Sequence, residues 1–354
     1  MFLFNFDPIK ALPMTNQNKN IVYSLILLCS MALVWWIRRP DSDTLDLQKQ
    51  ELSGSTMGTT YSVKYLTREP VNYQASIDSL LEDFNQCLST YIQDSEISKF
   101  NQGVLHRFDR PYFYPVMEQS LALYQITGGA FDPTVMPLVS AWGFGPDSED
   151  IPTTDEVDSL LASVGFDNVF FDEQAVCKLK PAVQLDFSAI AKGYAVDLVM
   201  KFLKTKGLEN VFVEIGGEIA ASGVNDQNKP WAVYIEKPLE GERSVQAVAM
   251  LDNIAVATSG NYRNYYIKDG KKYAHTISPF TGYPVQHSLL GVSVFAENCA
   301  AADAYATAFM VMGLDKAIPI VAQQTDIEAY FVYSDENGAL KTHVTSGIEN
   351  FIKE

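Results

Sequence analysis

Residues 21–37 read IVYSLILLCSMALVWWI, 17 positions without a charge, set between a 20-residue tail and a polar stretch that begins at Arg38. As a helix rising about 1.5 Å per residue, such a run reaches about 25 Å, near the lower limit for crossing a bilayer. Trp35 and Trp36, followed by Arg38, Arg39 and Pro40, have the form of an interfacial belt and a stop. A cleaved signal peptide competes with this reading. However, Leu28 stands before Cys29, where a lipoprotein box takes a small residue, and Ser30-Met31-Ala32 is a poor cleavage site. The expectation is an uncleaved membrane anchor, with residues 38–50 as a tether. Lys10 and Lys19 balance Arg38 and Arg39, so charge alone does not orient it.

The remaining residues, 51–354, show no repeat and no linker-like composition, and a single domain is expected. The chain is 47% apolar and 19% charged, which excludes disorder, collagen and coiled coil. Acidic residues outnumber basic ones by 43 to 26, a net charge of -17, so nucleic acid is not an expected partner. An anionic small molecule would need a local remedy, either a metal ion or helix N-termini. Four cysteines form no CxxC and four histidines no HExxH, so neither zinc nor a disulfide framework is expected.

Apolar spacing predicts helices over 73–91, 116–127, 189–206 and 300–312, the last three closed by glycine. Strands are predicted over 60–65, 211–215, 231–236, 253–258 and 328–333. Helices and strands mix without a βαβ rhythm, which predicts an α+β fold.

Four constellations carry possible chemistry. Asp303 and Thr307, four apart, share one helix face; a carboxylate and a hydroxyl there suit a hard cation such as Mg²⁺. The bland alternative is a solvated polar stripe. Asp186-Phe187-Ser188 leads into a helix start with Lys192 in the first turn, a place ready for phosphate; the alternative is an ordinary cap. Gly128-Gly129-Ala130-Phe131-Asp132 offers close backbone approach, a ring and an acceptor, or merely a helix stop and a turn. Finally, His275 stands among turn residues from Thr258-Ser259-Gly260 through Arg263 to Pro284, as an acid/base candidate or a surface histidine.

Taken in order, these segments resemble the ApbE family of FAD:protein FMN transferases, from about Met57 to about Gly313. The resemblance is carried by Met57-Gly58-Thr59, Leu88-Ser89-Thr90-Tyr91, 94–98 (DSEIS), 129–134 (GAFDPT), Trp142-Gly143-Phe144-Gly145 and the run from Asp186 to Asp197. Ile215-Gly216-Gly217-Glu218, 259–263 (SGNYR), 275–284 and 302–307 complete it. It implies a single mixed α/β domain of the ApbE-like fold after an N-terminal membrane segment. It implies a Mg²⁺-dependent enzyme that splits FAD, moves FMN to a Thr or Ser hydroxyl of an acceptor protein and releases AMP. By the resemblance, Asp303, Thr307 and the carbonyl of Ala189 hold the metal. Met57, Tyr91, Ala130, Phe131, Asp132, Asp186, Lys192 and Ile277 contact FAD, and His275 is the catalytic candidate. The implied acceptor is a subunit of a Na⁺-translocating NADH:quinone reductase or an Rnf-type complex. The implied setting is the periplasmic side of the bacterial inner membrane.

Two departures stand out: Ser278 and Phe280 occupy positions where the family usually has Asp and Arg. Relatives that hydrolyse FAD tend to lack an aromatic residue near Tyr91, so its presence favours transfer. The competing readings are an FAD pyrophosphatase that yields FMN and AMP, and a non-catalytic FAD-binding protein.

Overall fold

The computed structural model describes residues 23–31, 33, 47–144, 151–238, 244–261, 265–268 and 271–353. Contacts divide the chain into two units, 1–47 and 48–354. In the first, residues 23–31 and 33 are helical and exposed. The rest of the expected anchor, and the tether up to residue 46, lie outside the described residues. Among the described residues, no helix is long and apolar enough to cross a membrane.

The second unit begins with β1 (Gln48–Thr56), β2 (Thr59–Thr67), α1 (Gln74–Leu88), α2 (Glu96–Gln102), β3 (Leu105–Arg107) and α3 (Phe113–Ile126). Next come α4 (Met136–Ala141), α5 (Thr154–Leu161), β4 (Val169–Phe171), β5 (Ala175–Lys178), α6 (Ala191–Thr205), β6 (Val211–Ile215) and β7 (Glu218–Ser222). Then follow β8 (Trp231–Glu236), β9 (Val245–Leu251), β10 (Ile254–Gly260), β11 (Tyr265–Lys268), β12 (Lys271–Ala274) and β13 (Leu289–Ala296). The unit ends with α7 (Cys299–Met312), α8 (Leu314–Gln323), β14 (Ile327–Ser334), β15 (Leu340–Val344) and β16 (Ile352–Lys353).

Antiparallel pairing orders eight strands as β1-β2-β6-β7-β10-β13-β14-β15. Antiparallel neighbours need only short turns, which is why the chain shows no βαβ rhythm. A two-residue turn joins β1 to β2 through Met57 and Gly58, both at positive φ (51° and 71°). Two left-handed residues match the twist of a two-residue hairpin. On one face, buried Val63, Tyr65, Val213, Val292 and Val294 share a core with α1, α6 and α7. On the other, Phe212, Val256 and Phe295 pack on Trp231, Val233 and Ala249 of a second sheet ordered β16-β9-β8. A third core under the site holds Leu138, Trp142, Val157 and Ile277.

The joint between α6 and α7 positions the chemistry. A Cβ on Gly193 would lie 2.2 Å from the carbonyl oxygen of Cys299, so only glycine lets the two backbones meet. Asp197 of α6 accepts the N–H groups of Cys299 and Ala300, both at 2.9 Å, and so caps α7 across the joint. The alanines of α7 at 300, 302, 304, 306 and 308 are fully buried. All four cysteines are free.

Candidate active site

A cleft of about 810 Å³ opens over this joint. It is lined by Tyr91, Ala130, Phe131, Asp132, Asp186, Ala189, Lys192, His275, Ile277, Asp303 and Thr307, which come from segments far apart in sequence. Met57 is not among the lining residues; it sits in the β1–β2 turn, half-buried against the core. Arg263 lies outside the described residues.

Asp303 is 3% exposed, which excludes the solvated stripe. Its Oδ2 accepts the N–H of Gly193 at 3.0 Å and stands 3.8 Å from Lys192 Nζ. On the other side, Lys192 Nζ is 3.2 Å from Oε1 of Glu218, the first residue of β7 after Gly216-Gly217. Gly216 is at φ +64, with the Lys192 stem beside it. The lysine in the first turn of α6, unfavourable to the helix dipole, therefore meets two carboxylates of the protein itself. Burial works against the charge on Lys192, but Asp303 and Glu218 outweigh it and push its pKa up. Burial likewise raises Asp303, and lifts Glu218 to about 8 against the opposing pull of Lys192.

Three oxygens at this point suit a hard cation. Gly193 gives its N–H to Asp303, and among the described residues no hydrogen bond reaches the Ala189 carbonyl that a longer helix would have used. Thr307 Oγ1, one turn beyond Asp303, has Ser259 Oγ as its side-chain hydrogen-bond partner among the described residues, at 3.3 Å. Beside them, Glu218 Oε2 is buried without a hydrogen-bond partner among the described residues. A buried acceptor without a donor is costly, and a divalent cation relieves such a set. The residues therefore fit Mg²⁺.

The anionic alternative at 186–188 resolves differently from a helix cap. Ile190 caps α6 without a side-chain bond, while Asp186 Oδ1 accepts the N–H and the hydroxyl of its neighbour Ser188. The N–H of Asp186 donates to the Pro133 carbonyl at 2.8 Å, tying this loop to the glycine segment. There, Asp132 Oδ1 accepts from Thr134 N and Oγ1 at 2.8 and 2.6 Å, and burial raises its pKa to about 6. Phe131 is 2% exposed, so its ring belongs to the core and shows only a rim to the cleft. Tyr91, 68% exposed, offers an open aromatic face at the cleft, as does Tyr234. Around His275 the walls are built by packing: Phe144 meets its ring edge to face at 6.4 Å, and Trp142 Nε1 donates to the Gly282 carbonyl at 2.7 Å. Ser278 Oγ accepts the N–H groups of Phe280 and Thr281 and so closes the 278–283 turn.

A second acidic group, Glu96, His106 and Asp109, lies elsewhere. Glu96 is fully buried and already accepts from Asp109 N at 3.0 Å, His106 at 3.1 Å and Arg110 at 3.4 Å. Its lone pairs are spent on structure.

The sequence profile of the ApbE family matches residues 57–331, most of the chain. The chain belongs to the ApbE family. An FAD:protein FMN transferase of Vibrio cholerae is 37% identical over 93% of this chain and 99% of its own length. That of Haemophilus influenzae is 41% identical over 81% of this chain and 87% of its own. Among solved structures, the flavin transferase ApbE from Vibrio cholerae superposes with a TM-score of 0.79 at 36% identity, covering 86% of this chain and 99% of that one. The flavinyl transferase ApbE of Pseudomonas stutzeri gives 0.78 at 33% identity, over 86% and 97%. By this membership the chain is an enzyme of the transferase class. Glu218 and Ser259 carry no expected role from sequence; the Gly216-Gly217 pair before Glu218 was the available signal, since it lets a buried carboxylate approach Lys192.

Proposed function

We propose that this chain is a Mg²⁺-dependent FAD:protein FMN transferase, working on the periplasmic side of a bacterial inner membrane to which residues 21–37 hold it. Its acceptor is a Thr or Ser of a subunit of a Na⁺-translocating NADH:quinone reductase or an Rnf-type complex. The observation that carries the reading is the Ala189 carbonyl, without a hydrogen bond among the described residues, in one cleft with Asp303, Thr307, Lys192 and His275. Membrane attachment is supported by Leu25, Ile26, Leu27 and Leu28, consecutive exposed apolar side chains that encircle their helix.

In the reaction, the acceptor hydroxyl oxygen attacks the FMN-side phosphorus. The bond to the bridging oxygen breaks, and that oxygen leaves with AMP. Asp303, Thr307 and the Ala189 carbonyl would hold the Mg²⁺, which supplies neutralisation of pyrophosphate charge when bound. Lys192 adds a fixed positive charge that Glu218 and Asp303 hold at the cleft wall. His275, oriented against Phe144, takes the hydroxyl proton as the new bond forms. Tyr91 offers its exposed ring to a flavin or adenine face.

Release of AMP from FAD with an acceptor present tests this reading, with and without Mg²⁺. Asn at 303 keeps an oxygen for the Gly193 N–H but drops the charge. Asp303→Asn is expected to lower the Mg²⁺-stimulated rate on the order of 100-fold in a folded protein. Equal rates in the two proteins would remove the metal site from the account.

A further inference from the structure

The cleft has a neighbour that neither its metal nor its FAD residues use. β8 is the terminal strand of the sheet ordered β16-β9-β8, and Tyr234 on it lines the cleft. Trp231, Val233 and Ile235 are buried, while Ala232 and Tyr234 are exposed. The direction of its backbone groups follows from β9. Met250 N–H donates to the Phe351 carbonyl at 2.9 Å, on the β16 side. Backbone groups alternate sides along a strand, so Ala249 and Leu251 face β8, opposite Val233 and Trp231. Lys237 N–H, donating to Ser244 O at 2.8 Å, keeps the same parity past the bulge at 235–236. Ala232 and Tyr234 therefore turn their N–H and C=O groups outward. Among the described residues, no hydrogen bond reaches them.

Open edges attract foreign strands, and proteins blunt them with lysine or proline. Three other terminal strands do so: β1 carries Lys49, β15 carries Lys341 and β16 carries Lys353, whereas the three-residue terminal strands β3 and β4 do not. The six residues of β8 (WAVYIE) carry neither lysine nor proline, which stand in its flanks at 229–230 and 237–238. An unguarded edge that runs into a cleft is suited to an extended peptide, whose backbone it can pair while side chains stay free to vary.

We infer that the acceptor protein docks by adding an extended segment as a strand along the outer edge of β8, which presents its Thr or Ser beside Tyr234. The inference rests on the transferase reading above. On an added strand, the residue opposite Tyr234 projects from the same face of the sheet at about 5 Å, and so into the cleft that Tyr234 lines.

The test uses the full chain and the soluble acceptor domain of an Rnf-type complex as the probe. Ala232→Pro removes one outward N–H while sparing the bonds to β9; Ala232→Ser keeps the N–H. Ala232→Pro is expected to raise the KM for the acceptor about tenfold, with FAD affinity kept, and Ala232→Ser to leave both unchanged. Should the proline variant not fold, hydrogen exchange on the unaltered chain decides: the amides of Ala232 and Tyr234 gain protection when the acceptor is added. A proline variant that matches the serine variant, or amides that exchange equally fast with the acceptor bound, overturns the docking edge alone. No FMN-sized gain on the acceptor even with the unaltered chain overturns the transfer reading, and the edge with it.

Discussion

At the scale of single residues, the site depends on charges that burial makes costly and neighbours make tolerable. Lys192 is held between Glu218 and Asp303, and the arrangement leaves one oxygen of Glu218 and the Ala189 carbonyl without donors among the described residues. His275 lines the same cleft, its ring edge to face with Phe144. His275→Ala is expected to slow FMN transfer roughly 100-fold while FAD binding stays within error, because general-base help acts on the chemical step. An equal loss of FAD binding, read by flavin fluorescence, would make the residue structural. Asp132 gives a pH prediction. Its folded-state pKa is raised from 3.8 to about 6 by burial, so between those values the unfolded chain has lost its proton and the native one has kept it. Stability from this group therefore falls as pH rises through that window and is lowest above it. Asp132→Asn preserves the acceptor for Thr134 and is expected to stabilise the protein relative to the unaltered chain at pH 7, by roughly 2 to 3 kcal/mol, and not at pH 4. Denaturant melts at the two pH values check this; a gain equal at both contradicts it.

At the scale of elements, the joint between α6 and α7 is the part that tolerates least. Gly193→Ala forces a Cβ against the Cys299 backbone and is expected to cost about 1 to 3 kcal/mol in urea unfolding, with weakened Mg²⁺ dependence as Asp303 shifts. A neutral substitution would show that the helices can part without harm to the site. Both helices were legible from apolar spacing and terminal glycines, and β6, β8, β10 and β14 from short apolar or alternating runs. β13 (LLGVSVFA) was not, because a strand buried on both faces has no alternation to show. α2 is only 7 residues long, and Pro319 inside α8 reads in sequence as a helix breaker. The site was legible as separate segments. Their convergence was not, since the contact of Lys192 with Glu218 and the outward parity of β8 depend on which strands pair. The buried ring of Phe131 and the turn-closing role of Ser278 follow from tertiary packing, which spacing does not carry.

At the scale of the whole molecule, a chain of net charge -17 must admit an anionic dinucleotide. Asp132, Asp186, Glu218 and Asp303 all line the cleft, with Lys192 as the counterweight. Long-range repulsion thus opposes encounter, and salt should relieve it: raising NaCl from about 10 to 150 mM shortens the screening length from about 30 to 8 Å. The association rate of FAD, followed by stopped-flow fluorescence, is expected to rise over that range. A fall would mean that the local cation, not the overall field, governs entry. The account's central claim is covalent transfer of FMN, and intact mass tests it most directly. The chain is mixed with FAD, Mg²⁺ and the acceptor domain of an Rnf-type complex, with a metal-free control, and AMP is followed in the same tube. The account predicts an FMN-sized gain on the acceptor, one AMP for each, only when Mg²⁺ is present. AMP released with no gain in acceptor mass would contradict it and leave hydrolysis of FAD in its place.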